Sequence, residues 1–116
     1  MILPNAAEAY IPEGKLLNYL LSTIHPLGKF KARFFRNLGF NETNIRLFEK
    51  SLLLIAQNNE VKSFKETVYG VNYVVEGRVG LSKQKATIKT VWFIDSADAK
   101  PRFVTAIPVI MIKGEK

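Results

Sequence analysis

The chain's single histidine, His25, stands six residues ahead of Lys31, with Lys29, Arg33 and Arg36 around it. An imidazole beside several cations suits proton transfer at an anionic centre. Histidine titrates unperturbed at about 6.5, which serves acid–base work near neutrality. An ammonium or guanidinium stabilises negative charge that develops on an oxyanion or a phosphorane-like species. Together with hydroxyls, these are the parts for metal-free RNA cleavage by the neighbouring 2′-hydroxyl.

The element that must position them reads as a helix. Pro26 suits the first helical position because its missing N–H would be unpaired there anyway, and this leaves His25 at the N-cap or just outside it. At about 100° per residue, Leu27, Phe30, Phe34, Phe35 and Leu38 gather on one side. Lys29, Arg33 and Arg36 fall on the other, the solvent side. Lys31 is the exception, since it lies inside the apolar sector. Either it snorkels, with its stem buried and its ammonium at the edge of the core, or its charge stands at a cleft wall where low dielectric makes it effective against an anion. His25 likewise reads either as a plain N-cap residue or as a group facing the same cleft.

Other chemistries find little support. The absence of cysteine excludes disulfides, thiolate metal sites and cysteine nucleophiles. With one histidine and scattered glutamates, metal-ligand spacing is missing, and neither metal nor cofactor is expected. Gly77-Arg78-Val79-Gly80 is a loop and not a phosphate-binding fingerprint. The 17 basic against 10 acidic residues, a formal charge of +7, favour an anionic partner over generic solubility alone. No apolar run approaches the roughly 20 residues of a membrane span. The amino terminus lacks the features of a signal peptide, so a cytoplasmic protein with no membrane partner is expected.

The 116 residues make one domain. Residues 1–12 read as an irregular lead-in, 13–59 as helical and 60–113 as an antiparallel sheet. The first helix is expected from about Glu13 to Ser22. The second ends at Asn37-Leu38-Gly39, with Gly39 as a left-handed C-cap. Asn41 caps the third, with Phe40 and Ile45 as its hydrophobic staple. Ile45, Phe48, Leu52, Ile55 and Ala56 should face inward. Leu47 and Leu54, roughly opposite, predict a second buried side against another helix or another chain. After residue 60 the period changes to 2: an edge strand over 61–68, a strand over 71–77, a strand over 86–94 and a last strand over 102–112, in which Pro108 suggests an edge or bulge. The fold class is therefore α+β, three N-terminal helices packed on one face of a three- to four-stranded antiparallel sheet. Lys89 and Thr105 are polar groups that the other face could present.

Several blocks carry a family resemblance over essentially the whole chain: Asn5-Ala6-x-x-Ala9-Tyr10-Ile11-Pro12, His25-Pro26-x-Gly28-x-x-Lys31-Ala32-x-Phe34-Phe35-x-x-Leu38-Gly39-Phe40, Tyr69-Gly70, Tyr73-Val74-Val75-Glu76-Gly77, Thr90-Val91-Trp92 and Pro101-Arg102-x-Val104-Thr105-Ala106. The chain resembles an uncharacterised family of small bacterial proteins with these motifs, whose layout is similar to RelE-like and barnase-like ribonuclease toxins. The family pattern usually ends in Thr-Ala-Tyr-Pro, whereas this chain has Thr105-Ala106-Ile107-Pro108, so a chemical role of that tyrosine in the family does not carry over to Ile107. The resemblance implies a metal-independent RNA endonuclease toxin whose partners are RNA and a small antitoxin-like protein. His25 would be general acid or base, Lys31 would stabilise the phosphate, and Thr90 and Thr105 would hydrogen-bond the substrate. Lys29, Arg33, Arg36 and Lys89 complete the expected substrate-binding set. The alternative is a non-catalytic module that binds protein or nucleic acid, and a homodimer stays open.

Overall fold

The computed structural model describes residues 1–26, 29–81 and 85–109. Its elements follow the order helical turns, α1 (Lys29–Asn37), α2 (Ile45–Asn58), then β1 (Val61–Thr67), β2 (Gly70–Val79), β3 (Ala86–Asp95) and β4 (Arg102–Pro108). The four strands form one antiparallel sheet in sequence order, so β1 and β4 are its edges. The class is α+β, helices first and a four-stranded meander after them.

The helix expected over 13–22 contracts to a turn at Leu16–Leu20. Its hydrogen bonds reach back five residues, Leu20 N to Lys15 O (3.0 Å) and Leu21 N to Leu16 O (2.7 Å), the wide π pattern. The backbone explains the contraction: Gly14 sits at φ 89°, outside the helical region, so the turn does not extend back through it. The Gly14 carbonyl only caps the turn, accepting the Asn18 N–H at 2.8 Å.

Around α1 the chain obeys its local signals. The His25 carbonyl accepts the Lys29 N–H at 3.0 Å, and the Ser22 hydroxyl accepts the N–H of His25 at 3.1 Å. Leu27 and Gly28, which the expected start of this helix includes, lie outside the described residues. At the other end, Phe40 N bonds Phe35 O and Gly39 N bonds Arg36 O, with Gly39 at φ 107°. This is the Schellman arrangement that only a residue tolerating positive φ completes cheaply. The next helix starts at once: Thr43 N donates to Asn41 Oδ1 and Asn41 N to Asn44 Oδ1, both at 2.8 Å, a reciprocal cap across the short turn Glu42–Asn44.

The core joins both halves of the chain. Leu16, Leu20, Leu21, Phe35, Leu38, Phe40, Phe48, Leu52, Ile55 and Ala56 share one buried cluster with Val75, Val79, Ile88, Trp92, Phe103 and Ala106. Phe40 stacks on Phe48 with ring centroids 4.4 Å apart, and Trp92 meets Phe103 edge-on at 5.3 Å. Two sequence expectations need correction. Phe30 is 72% exposed, because the buried stripe of α1 runs through Ala32, Phe35 and Leu38 and so turns Phe30 toward the cationic side. Leu47 and Leu54 are each 44% exposed, so no helix among the described residues buries that side of α2, and of the two covers expected there only another chain stays open.

β1 carries mostly exposed side chains, as an edge strand with alternating charges should. The β1–β2 connection is a two-residue loop, Val68-Tyr69, held by the Thr67 hydroxyl, which accepts from the N–H groups of Tyr69 and Gly70. In β4 the register slips once against β3, between Val91 and Trp92, which leaves Val104 as an extra residue. β4 is an edge of the sheet, one of the two readings that Pro108 offers, and the bulge falls four residues before the proline. Residues 110–112, the expected end of this strand, are outside the described set.

Candidate functional site

Three stretches distant in sequence meet at one seam: the π turn, the inner face of α1 and the edge strand β4. Lys31 donates from Nζ to Tyr19 Oη (2.9 Å) and to Thr105 Oγ1 (2.8 Å). The two hydroxyls bond each other at 3.0 Å, closing a triangle. The Lys15 ammonium approaches from the other end of the π turn and donates to the carbonyl of Val104, the extra residue of β4, at 3.0 Å. Both ammoniums stand near the Tyr19 ring, Lys15 at 5.1 Å and Lys31 at 5.2 Å from its centroid. His25 sets its imidazole edge-on against the same ring at 5.1 Å. All five side chains are partly buried.

Lys31 therefore does more than snorkel. Its ammonium is aimed into a group of hydroxyls, and none of the ion pairs among the described residues involves it. Two of its three protons are used within the triangle, which leaves one for an incoming anion. Electrostatics act on the phenol. Burial pushes the Tyr19 hydroxyl up, but the hydrogen bonds from Lys31 and Thr105 and the charges of Lys31 and Lys15 outweigh it, and the net shift is downward. A phenol poised this way gives up its proton more readily than a free tyrosine.

The remaining expected site residues scatter. Thr90 needs correction: it is 0% exposed, donates to Val75 O at 2.8 Å and accepts from Trp92 Nε1 at 2.7 Å. Both functions of its hydroxyl are spent inside the core, so a substrate has no access to it. Arg36 is likewise committed to the fold. Its guanidinium donates twice to Leu21 O and pairs with Glu42, tying the segment before α1 to the start of α2. The bond from Arg36 lowers the Glu42 carboxyl to about 2. Lys89 lies on β3 opposite Glu76 and Ile107, and no hydrogen bond joins it to the triangle. Lys29 and Arg33 are exposed on α1. Thr105 is the one expected hydroxyl that meets Lys31.

Tyr19 and Lys15 escaped the sequence reading, which weighed only the leucines of that segment. One signal was present: Lys15 and Tyr19 stand four apart, the spacing that brings a cation onto an aromatic ring along a helical turn. Among the described residues no group of three His, Asp or Glu side chains converges as a metal site would require. No helix there is long and apolar enough to cross a membrane.

No curated protein matches the chain. Among solved structures, it is similar to a chain of a contact-dependent growth inhibition toxin–immunity protein complex from Klebsiella pneumoniae 342. The TM-score is 0.70 at 16% identity, over 91% of this chain and 97% of that one, which shows a shared fold. Residues 2–110 match the model of a domain of unknown function, DUF6883, and the chain belongs to that family.

Proposed function

We propose that this protein is a metal-independent RNA endonuclease of the toxin type, with its centre at Lys31, Tyr19, Thr105 and His25. The observation that carries the reading is the Lys31–Tyr19–Thr105 triangle with an imidazole against it. It gathers an ammonium, a phenol with lowered pKa and the chain's only imidazole at one seam.

The chemistry follows from those groups. The ribose 2′-oxygen attacks the adjacent phosphorus, His25 takes the 2′ proton, and the bond from phosphorus to the 5′-oxygen breaks. Tyr19 gives its proton to the departing 5′-oxygen, and the resulting phenolate is stabilised by Lys31 and Lys15. The free N–H of Lys31 bonds a non-bridging oxygen as charge builds there. The products are a 2′,3′-cyclic phosphate and a 5′-hydroxyl. In this reading α1 and α2 cover one sheet face, and the seam beside β4 is left to the substrate.

A protein partner belongs to the same proposal. The similar fold occurs in a toxin–immunity protein complex, and a cytoplasmic nuclease needs a neutralising protein. Leu47 and Leu54 on the exposed side of α2 favour such a contact and also support the second reading, a non-catalytic binding module.

Incubation of purified protein with total RNA in chelator, beside a His25→Ala control, decides between them. Cleavage should persist in chelator, leave 2′,3′-cyclic phosphate ends and disappear in the control. Activity lost to chelator and restored by a divalent ion would remove the mechanism. A folded protein that cleaves no RNA would leave the binding module.

A further inference from the structure

An exposed aromatic stands among the cations of α1. Phe30 is 72% exposed in a nine-residue helix whose inner face already holds two large rings, Phe34 and Phe35. At about 100° per residue it lies about 60° from Arg33 and about 100° from Lys29 on the helix circumference. The Lys29 ammonium sits 5.4 Å from its ring centroid. Around them is a shallow depression lined by Thr23, Lys29, Phe30, Arg33, Arg36 and Asn37. No carboxylate lines it. Arg36, its remaining cation, is held by Glu42 and Leu21, so Lys29 and Arg33 supply the charge for a ligand.

An exposed ring flanked by cations, and the one apolar side chain among the described residues that line this depression, suits a particular ligand. A protein partner of ordinary kind would meet a larger apolar patch with the aromatic at its centre. A single-stranded nucleic acid needs what is here: one ring face for a base and nearby cations for the phosphates on either side. Phe30 and Lys31 are chain neighbours whose side chains leave α1 about 100° apart, so a strand that crosses the helix at this point would meet both.

We propose that Phe30, with Lys29 and Arg33, forms a base-stacking subsite for single-stranded RNA that positions the strand beside Lys31. The subsite rests on the nuclease reading for its purpose, and its binding can be measured without cleavage. Stacking one base on an aromatic side chain contributes about 1–3 kcal/mol, so removing the ring should weaken binding roughly 5- to 150-fold. The ring is solvent-facing, and its replacement leaves the core intact.

The test is fluorescence anisotropy with a labelled single-stranded RNA octamer carrying 2′-O-methyl groups, which blocks attack by the 2′-oxygen. Phe30→Leu should lose affinity within that range, and Phe30→Trp should retain it. An abasic site should weaken wild-type binding at one position of the octamer, and Phe30→Leu should be insensitive to it there. Equal affinity of wild type and Phe30→Leu, or failure of the wild type to bind the octamer, would overturn the subsite. So would a Phe30→Leu effect that persists unchanged at every abasic position, which would show that the ring holds no base. If the wild type binds through Phe30 and cleaves no RNA, the nuclease reading fails and the subsite stands. If it cleaves RNA and Phe30→Leu changes neither affinity nor KM, the reverse holds.

Discussion

Thr90 and Thr105 lie on neighbouring strands, and each is the hub of a small hydroxyl cluster. The cluster at Thr90 is neutral and sealed: one carbonyl, one indole N–H and no exposure. The cluster at Thr105 is cationic and only partly buried, with a lysine, a phenol and a nearby imidazole. Both bonds of the first stay within the sheet, one crossing from β3 to β2 and one running along β3 itself. Every bond of the second joins different parts of the fold. The difference teaches where to look for chemistry in this molecule. A satisfied polar group inside the sheet stabilises it, whereas a charge held by hydroxyls at the sheet's edge is retained at some cost to folding.

The largest expected effect separates the two directly. Lys31→Met keeps an unbranched stem and removes the charge, and Tyr19 and Thr105 still have each other as partners. RNA cleavage should fall by about 10²–10³, the scale of one lost charge-stabilising donor, while the melting temperature stays within a degree or two. A marked drop in melting temperature, with residual activity tracking the folded fraction, would make Lys31 a structural residue and erase the contrast.

Thr90→Val should behave in the opposite sense. It leaves a buried indole N–H without an acceptor, a loss of about 1–3 kcal/mol, read as a melting temperature lowered by several degrees with specific activity of the folded protein unchanged. Specific activity lost at full stability would move Thr90 into the site and break the comparison.

The smallest effect is a pH dependence confined to the cluster at Thr105. Because the folded pKa of Tyr19 is depressed, the folded chain releases this proton before the unfolded chain does. Stability therefore rises with pH from the folded value up to the unfolded value of about 10, and the contribution is absent below that window. Near-ultraviolet absorbance should show one of the four tyrosines ionising ahead of the rest, and Lys31→Met should bring it back among them. Simultaneous ionisation of all four in the native protein would contradict the geometry at Tyr19.

Local signals were legible in the sequence, and long-range ones were not. Gly39 as a C-cap, the cap at Asn41 and the alternation through Ile88, Thr90 and Trp92 depend on a few neighbouring residues, and each stands where the chain pattern puts it. The odd position of Lys31 on its helix was readable for the same reason. Phe30 was not, because a helical wheel gives angles between residues while the partner elements decide which angle faces the core. The roles of the two threonines looked alike because strand alternation carries no record of what lies beyond the edge. Tyr19 needed both Lys31 and Thr105 to acquire meaning, and a π turn instead of a regular helix to aim it.

The extra residue in β4 and the hydroxyl beside it have a consequence in time. Thr105 meets Lys31 across 74 residues and Tyr19 across 86, so closing the triangle brings together segments from opposite ends of the domain. Such contacts pay the entropy of a long loop before they are rewarded. A growing polypeptide can form α1, α2 and the first hairpin while Lys31 still lacks its second partner. Whatever the triangle does to a substrate, an unfinished chain cannot do it, and the cell that makes the protein meets its chemistry only after the last strand has docked.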